Sequence, residues 1–292
     1  MKSILRASLL LAAIAGSAQA SSTIDNLNRF AYGANIGWMD CRADDANGVV
    51  IGEFVCSGYI YAANVGWINL GGGAPVNGIQ YQNNSAADFG VNTDGLGNLR
   101  GLAWGANIGW VNFEAQGAPK VDLWSGRLTG FVYGANVGWL SLSNALAFVQ
   151  SDTIRPGADT DGDGIADAWE LLHFGDLTTA NSKSDFDHDG FTDLQEYLAD
   201  TDPKDPSSNL RITLYSFAAN GSPVTLTWNS RPTRGYRVLQ QVNLDSGFPW
   251  TDVGLGLFAP DAGPTTTRVF VLPSSRRAPR FFEIEAFRPL AP

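Results

Sequence analysis

A seven-residue motif occurs four times in the first half of this 292-residue chain, and no other feature of the sequence constrains the fold as strongly. Each copy reads aromatic, Gly or Ala, Ala, Asn, Ile or Val, Gly, Trp, and the copies lie at residues 32–38, 61–67, 104–110 and 133–139. A shift of 72 residues maps the first two copies onto the last two. The repeat therefore indicates duplication of a two-unit block.

Each copy predicts a short β-hairpin. Asn and Gly tolerate the positive φ angles of hairpin turns, and the residues after each Trp alternate with period two, as in 111–113 and 140–142. A short hairpin cannot bury its own apolar face, so we expect Trp38, Trp67, Trp110 and Trp139 to pack each unit against its neighbour. The alternative is an exposed platform that stacks on sugar rings and also includes Tyr32, Tyr61, Trp104 and Tyr133. The motif resembles a Trp-rich repeat of bacterial secreted proteins that has no assigned function.

The first twenty residues are typical of a cleaved export signal. Lys2 and Arg6 precede a short apolar run, and Ala18-Gln-Ala20 provides an Ala-x-Ala cleavage site. The run is too short to span a membrane, and no later stretch reaches eighteen apolar residues. We therefore expect a secreted chain, extracellular or at the cell surface, without a transmembrane anchor.

The two cysteines, Cys41 and Cys56, are expected to face a core. The 72-residue shift places them on Phe113 and Leu128, which are apolar. In an exported chain such a pair predicts a disulfide, which would close a short loop and contribute roughly 3 kcal/mol. A reactive or metal-binding thiol is the alternative.

The negative charge of the chain is concentrated in one segment. The net charge is −10, yet 14 of the 29 acidic residues lie between Asp159 and Asp205, where Lys183 and Lys204 are the only basic residues. Phosphate binding needs a basic surface, so nucleic acid is excluded as the main partner.

Two stretches of this acidic segment, residues 159–170 and 185–196, match the twelve-residue calcium loop. That loop places carboxylates at positions 1, 3 and 5, a glycine at 6, a backbone carbonyl at 7, a direct or water-bridged ligand at 9 and a bidentate Glu at 12. We therefore predict two Ca²⁺ ions, and magnesium would fit poorly. The predicted ligands are Asp159, Asp161, Asp163, Ile165, Asp167 and Glu170 in the first loop, and Asp185, Asp187, Asp189, Phe191, Asp193 and Glu196 in the second.

The sequences around the loops refine their type. Residues 155–158 and 181–184 are poor helix formers, so no helix is expected to precede either loop, whereas short helices after the loops are predicted with Ile165, Trp169 and Leu172 on one face. This arrangement, followed by the Asp-Pro pairs of residues 202–206, resembles thrombospondin type 3 repeats and, less closely, dockerins. The first resemblance implies a calcium-stiffened connector, and the second implies a cohesin-type protein partner.

The last third of the chain predicts a β-sandwich. Strand patterns occur at 211–215, 224–228, 236–239, 267–272 and 281–285, separated by turn residues. The region from 224 to 236 resembles fibronectin type III and immunoglobulin-like domains. Three arginines, Arg276, Arg277 and Arg280, form either a solvated surface or a site for an anionic glycan or for the neighbouring acidic module.

Together these features predict a mainly β protein: an export signal (1–20), a β-hairpin repeat domain (21–157), a tandem calcium-loop module with small helices (158–208) and a C-terminal β-sandwich (209–292). Catalysis is not expected, because both histidines, His173 and His188, lie in the acidic segment. The sequence favours a secreted, noncatalytic calcium-binding protein with a structural or adhesive role. The alternatives are a carbohydrate-binding protein and a dockerin-like docking module, so the candidate partners are an extracellular glycan or a surface protein.

Overall fold

The four repeat motifs form four antiparallel β-hairpins in the computed structural model, which describes residues 21–218, 223–242, 244, 249–272 and 280–292. The fold is mainly β, as predicted, and the proposed export signal lies outside the described residues. The chain divides into two units, an N-terminal unit that ends at Leu177 but includes residues 290–292, and a C-terminal unit of residues 178–289.

The N-terminal unit contains twelve strands, a 3₁₀ turn and one helix. In chain order these are β1 (Ile24–Gly33), β2 (Gly37–Asp40), β3 (Ser57–Ala62), β4 (Gly66–Gly72), β5 (Val91–Thr93), β6 (Leu99–Gly105), β7 (Gly109–Asn112), the 3₁₀ turn (Ala115–Gly117), β8 (Lys120–Val121), β9 (Leu128–Thr129), β10 (Phe131–Gly134), β11 (Gly138–Ser141), β12 (Val149–Ser151) and α1 (Asp167–His173). The hairpins are β1–β2, β3–β4, β6–β7 and β10–β11.

These four hairpins close into an eight-stranded antiparallel barrel. Strands β2, β4 and β7 pair with the first strand of the next hairpin, and β11 returns to pair with β1. Each hairpin is displaced by two residues from the one before it: Asp40, two residues after Trp38, pairs with Tyr61. The same step recurs at Asn69 with Trp104, Asn112 with Tyr133 and Ser141 with Tyr32. Such a regular displacement gives the strands the tilt that barrel closure requires.

The barrel interior is a packed core. Small and branched side chains fill it, among them Ala31, Ile36, Ala62, Ile68, Ala103, Val111, Val132 and Leu140. A Cβ atom on Gly33 would lie only 2.5 Å from Cδ2 of Leu140. The space near the hairpin turns therefore has no room for a large ring.

The motif aromatics point to the outside of the barrel instead. The side chains of Trp38, Trp67, Trp110 and Trp139 are 40–50% exposed. The expectation that these tryptophans pack one unit against the next is therefore wrong. Aliphatic side chains on the other face of the strands form the packed core instead.

The asparagine of each motif joins its hairpin to the preceding one. Its side-chain amide donates to the backbone carbonyl of the Ile or Val in the neighbouring turn, and the four bonds are Asn35 to Val137, Asn64 to Ile36, Asn107 to Val65 and Asn136 to Ile108, at 3.0–3.1 Å. The bonds form a closed ring at one end of the barrel. The glycine before each Trp has φ between 76° and 84°, which brings the turn beside the next asparagine.

Replacing Asn136 with Ala is expected to lower the free energy of unfolding of the barrel by about 1–2 kcal/mol. The change removes one bond of the ring and leaves the Ile108 carbonyl without that donor. Urea unfolding followed by circular dichroism measures the effect. Asn26→Ala, at an exposed position of β1, is the matched control and should change stability by less than about 0.5 kcal/mol. Equal losses in both variants would contradict a structural role for the ring.

Both cysteines are buried in the barrel core, as expected, but they are free thiols. The predicted disulfide is therefore not present in this structure. Cys56 lies with its Sγ 3.7 Å from Oγ1 of Thr93 on β5, and burial raises the pKa of its thiol to about 11. Burial also raises the pKa of Cys41. Sharing a core does not by itself bring two sulfurs to bonding distance.

The C-terminal unit contains α2 (Asp193–Ala199) and the strands β13 (Ile212–Phe217), β14 (Val224–Asn229), β15 (Gly235–Gln241), β16 (Thr251–Asp252), β17 (Thr265–Phe270) and β18 (Phe281–Phe287). The strands form two three-stranded antiparallel sheets, β13-β14-β17 and β16-β15-β18. Both sheets contribute to one core, which includes Val224, Leu226, Trp228, Tyr236, Val238, Phe270 and Ile284. All five predicted strands are present, and β16 is an additional one.

The division between the units falls between the two acidic loops. The first loop and α1 belong to the N-terminal unit, and the second loop and α2 belong to the C-terminal unit. The sequence pattern predicted that both loops belong to one module, residues 158–208. Among the described residues, no helix has the length and apolar character needed to cross a bilayer.

Candidate functional site

The first acidic loop curls around a cluster of carboxylates. Asp159, Asp161 and Asp163 each place one oxygen within 4.8 Å of the other two. The carboxylate of Asp159 accepts the backbone N–H groups of Gly162 and Gly164, at 2.8 and 3.0 Å. These bonds hold three negative groups together, which is unfavourable unless a cation lies between them.

The second loop repeats this geometry position by position. Asp185, Asp187 and Asp189 form the equivalent cluster, and Asp185 accepts the N–H of Gly190 at 3.0 Å. The glycines at position 6 of the two loops, Gly164 and Gly190, both have a φ of 96°, a conformation that side chains rarely adopt. The two loops are therefore two copies of one structure.

Each loop is closed by a glutamate at position 12. Glu170 on α1 and Glu196 on α2 are 0% and 1% exposed. Among the described residues, neither carboxylate oxygen of Glu170 has a hydrogen-bond partner, and in Glu196 Oε1 accepts from Thr201 whereas Oε2 has none. Further buried carboxylate oxygens without a partner belong to Asp163, Asp185 and Asp187. Buried polar atoms are rarely left unbonded, so these oxygens are suited to a positively charged partner.

Burial and mutual repulsion perturb the pKa values of the two glutamates. Burial first, then the charge of Asp163, raises the pKa of Glu170 to about 7. Burial raises the pKa of Glu196 to about 8; the hydrogen bond from Thr201 opposes the rise, and the charge of Asp187 adds to it. Without a cation, both carboxylates are therefore poorly tolerated in their ionised form.

The aspartates at position 9 hold the loops in shape. In Asp167 one oxygen accepts the backbone N–H of Thr160 and the other accepts its hydroxyl, at 2.7 and 2.6 Å. In Asp193 the corresponding donors are the N–H of Phe186 and the hydroxyl of Ser184. These bonds tie the end of each loop to its start, so we assign both residues to bracing the loop, whether they bind an ion directly or through water.

The position 7 residues and the helices after the loops largely follow the sequence prediction. Ile165 is fully buried and Phe191 is partly buried, which leaves their backbone carbonyls as the predicted ligands. Trp169 is buried, but Leu172, which was expected on the same face, is 61% exposed. The helix α1 has seven residues, and its buried residues are the consecutive Ala168, Trp169 and Glu170.

The second loop has an additional support that the sequence did not reveal. The Asn209 side chain donates to Oδ2 of Asp189 at 2.7 Å, and its backbone carbonyl accepts from Asn229 on β14 at 3.1 Å. Asn209 lies outside the twelve-residue pattern, and no sequence signal distinguishes it. In the first loop, Oδ2 of Asp163 has no such donor.

A second candidate surface lies on the outside of the barrel. Tyr32, Tyr61, Trp104 and Tyr133 are 38–42% exposed, and each contacts the Trp of its own motif with ring centroids 4.6–5.1 Å apart. Of the C-terminal arginines considered as a glycan site, Arg276 and Arg277 lie outside the described residues. Arg280 donates a hydrogen bond to Gln240.

Comparison with known proteins identified no relative of this chain. No protein-family model, no curated protein and no solved structure matches the chain. The two acidic loops and the outer aromatic surface are therefore the features that bear on function.

Proposed function

We propose that this chain is a noncatalytic protein that binds two calcium ions, one in each acidic loop, and that it has a structural or adhesive role outside the cytoplasm. The observation that carries the proposal is the burial of Glu170 and Glu196 with oxygens that have no partner. Acidic clusters at a protein surface are common without ions, but buried, unpartnered carboxylates beside them are not.

The donor atoms favour calcium over other cations. The predicted ligands in each loop are all oxygens, and calcium binds six to eight oxygens in a flexible geometry. Magnesium demands a tighter octahedron, and zinc prefers nitrogen and sulfur ligands. The imidazole of His188 is at a nonligand position of its loop, so no soft donor belongs to either predicted set.

An extracellular role is supported by the sequence and by the way the loops are held. The expected export signal would place the chain where calcium is abundant, and extracellular modules bind calcium with dissociation constants of about 10⁻⁴–10⁻³ M. The loops, which resemble thrombospondin type 3 repeats, each belong to a different unit, so each ion would stabilise the unit that holds it. A dockerin-like function has less support, because a docking module needs both loops in one unit.

Calorimetric titration of the metal-free protein tests this proposal. We expect two calcium ions per chain, with magnesium binding more weakly. Asp161→Ala and Asp187→Ala should each reduce the uptake to one ion, because each removes a position 3 ligand from one loop. The absence of calcium uptake by the wild-type chain, or an unchanged stoichiometry in both variants, would refute the proposal.

The raised pKa values predict that rising pH lowers the stability of the metal-free protein and increases the stability gained from calcium. In the metal-free protein the folded pKa values, about 7 and 8, exceed the ordinary glutamate pKa of 4.5. The folded state then holds more protons than the unfolded state, so stability is highest at low pH and falls as pH rises through 7 and 8. Calcium binds the ionised form, so its stabilising effect should increase over the same range.

Thermal unfolding at pH 6 and pH 8.5, in chelator and in excess calcium, measures both effects. We expect the melting temperature in chelator to be lower at pH 8.5, and the gain on adding calcium to be larger there. A gain independent of pH would contradict the assignment of Glu170 and Glu196 as ligands.

Carbohydrate binding by the outer aromatic surface is a second candidate function. The exposure of all four motif tryptophans favours it, because buried indoles would have removed its main support. Such a surface is compatible with an adhesive role for the calcium-binding chain.

A further inference from the structure

The outer surface of the barrel carries four copies of one aromatic group. In each copy two further rings flank the motif Trp, and we call these sets of three rings the triads. They are Phe30/Tyr32/Trp38, Tyr59/Tyr61/Trp67, Phe89/Trp104/Trp110 and Phe131/Tyr133/Trp139. Within a triad the ring centroids of Trp and its neighbours are 4.6–6.5 Å apart.

The third triad is completed from elsewhere in the chain. Its hairpin has Leu102 where the other hairpins have Phe or Tyr. Phe89, which precedes β5, places its ring 5.2 Å from that of Trp110 and takes the missing place. All four copies therefore have three rings, although the third hairpin itself supplies only two of them.

Each triad lies beside a polar side chain from the preceding hairpin. The strand pairing sets Ser141 opposite Tyr32, Asp40 opposite Tyr61, Asn69 opposite Trp104 and Asn112 opposite Tyr133. Aromatic faces stack on the C–H faces of sugar rings, and hydroxyl or amide groups bond sugar hydroxyls. Three of the four polar groups are neutral, and Asp40 is paired with Arg29 at 3.1 Å. The chemistry therefore fits a neutral glycan.

The barrel distributes these groups around its circumference. Each hairpin forms one quarter of the closed sheet, so neighbouring triads are two strands, or about 10 Å, apart along a curved surface and face different directions. A single stiff polysaccharide chain cannot lie on four sites that face different directions. We infer that the barrel is a four-site cross-linker of neutral polysaccharide chains, an inference that rests on the carbohydrate-binding function proposed above.

The stoichiometry of the native protein tests this inference directly. In calcium-saturated buffer, calorimetric titration with cellohexaose should saturate at four molecules per chain. Hydroxyethylcellulose should give turbidity that rises and then falls with the protein-to-glycan ratio, as cross-linking requires. Alginate, an anionic glycan, should do neither.

Variants separate binding from cross-linking. The combination of Trp67→Leu, Trp110→Leu and Trp139→Leu retains one intact triad, so one site per chain should keep the native affinity for cellohexaose and turbidity should be low. Trp124→Leu changes an exposed Trp outside the triads and is the matched control. A single Trp→Leu change should weaken its own site about tenfold. Circular dichroism checks that each variant is folded, and the native stoichiometry decides the question if the triple variant is not.

Each result has a definite meaning. Four sites with turbidity support the inference. One site per wild-type chain would overturn the cross-linking inference but leave the carbohydrate-binding function standing. No uptake of any neutral glycan would overturn both, without affecting calcium binding. Concentration-dependent self-association without glycan, abolished by the Trp→Leu changes, would instead make the triads an interface between copies of this chain.

Discussion

Glu170→Gln is expected to remove calcium binding from the first loop and, in chelator, to raise the stability of the N-terminal unit. Gln keeps the shape of the side chain but has no charge. In calcium it supplies one weak oxygen where a bidentate carboxylate is needed, so we expect affinity at that loop to fall at least about 100-fold. A site saturated at 100 times its dissociation constant contributes about 2.7 kcal/mol, most of which the variant loses.

In chelator the sign of the effect reverses. Burial and the charge of Asp163 disfavour the ionised form of Glu170. A neutral side chain removes this unfavourable charge and therefore stabilises the metal-free protein. Glu196→Gln should behave in the same way in the C-terminal unit. Scanning calorimetry in calcium and in chelator measures both signs, and Glu114→Gln, at an exposed position before the 3₁₀ turn, is the control. A variant destabilised equally in both conditions would show that Glu170 has only a packing role.

Trp228→Ala is expected to destabilise the C-terminal unit by about 3–5 kcal/mol and leave the barrel folded. Trp228 is 0% exposed, and its ring contacts those of Tyr236 and Phe258, with centroids 5.9 and 6.0 Å apart. Loss of this side chain leaves a large cavity between the two sheets. Because the second loop belongs to the same unit, its calcium should be lost on unfolding while the first loop keeps its ion.

Leu140→Ala provides the reciprocal test in the barrel core, at a cost of about 2–5 kcal/mol. Calorimetry should show that each variant shifts a different transition. Calcium titration at a temperature between the two transitions should then give one ion for Trp228→Ala. A single transition that shifts in both variants would show that the two units unfold together.

The repeat motif made the hairpins predictable but not the barrel. Asn-x-Gly turns and alternating residues are local signals, and each was correct. Closure depends on the pairing of β11 with β1, in which Tyr32 meets Ser141 from the other end of the domain. No local pattern encodes that contact, so the sequence predicted a row of units without its closure.

The orientation of the hairpins could not be predicted from alternation alone. Period two defines two faces but does not say which one is inside. The expectation followed hydrophobicity and placed the tryptophans inside. In the barrel, side-chain size decides which face is inside. Ala31 and Ala62 fit the interior, whereas a Cβ atom on Gly33 would already collide with Leu140.

The acidic loops were the most predictable part of the candidate site, because the chemistry of oxygen ligands fixes the order of residues within twelve positions. The carboxylate clusters and buried glutamates lie where the pattern requires. Calcium itself remains a prediction. Asn209 was missed because its contact with Asp189 depends on the path of the chain after the loop. The two loops belong to different units, each to the unit that its neighbouring strands form.

The ring of asparagine bonds has no first member. Each hairpin gives one amide to its predecessor and offers one carbonyl to its successor, including the first and the last. The barrel therefore depends on the cyclic order of the hairpins and not on where the chain starts. A fragment with only two hairpins would keep one donor and one acceptor free at its open edges, and a second identical fragment would satisfy both. The 72-residue duplication in one chain then amounts to a covalently joined pair of half-barrels.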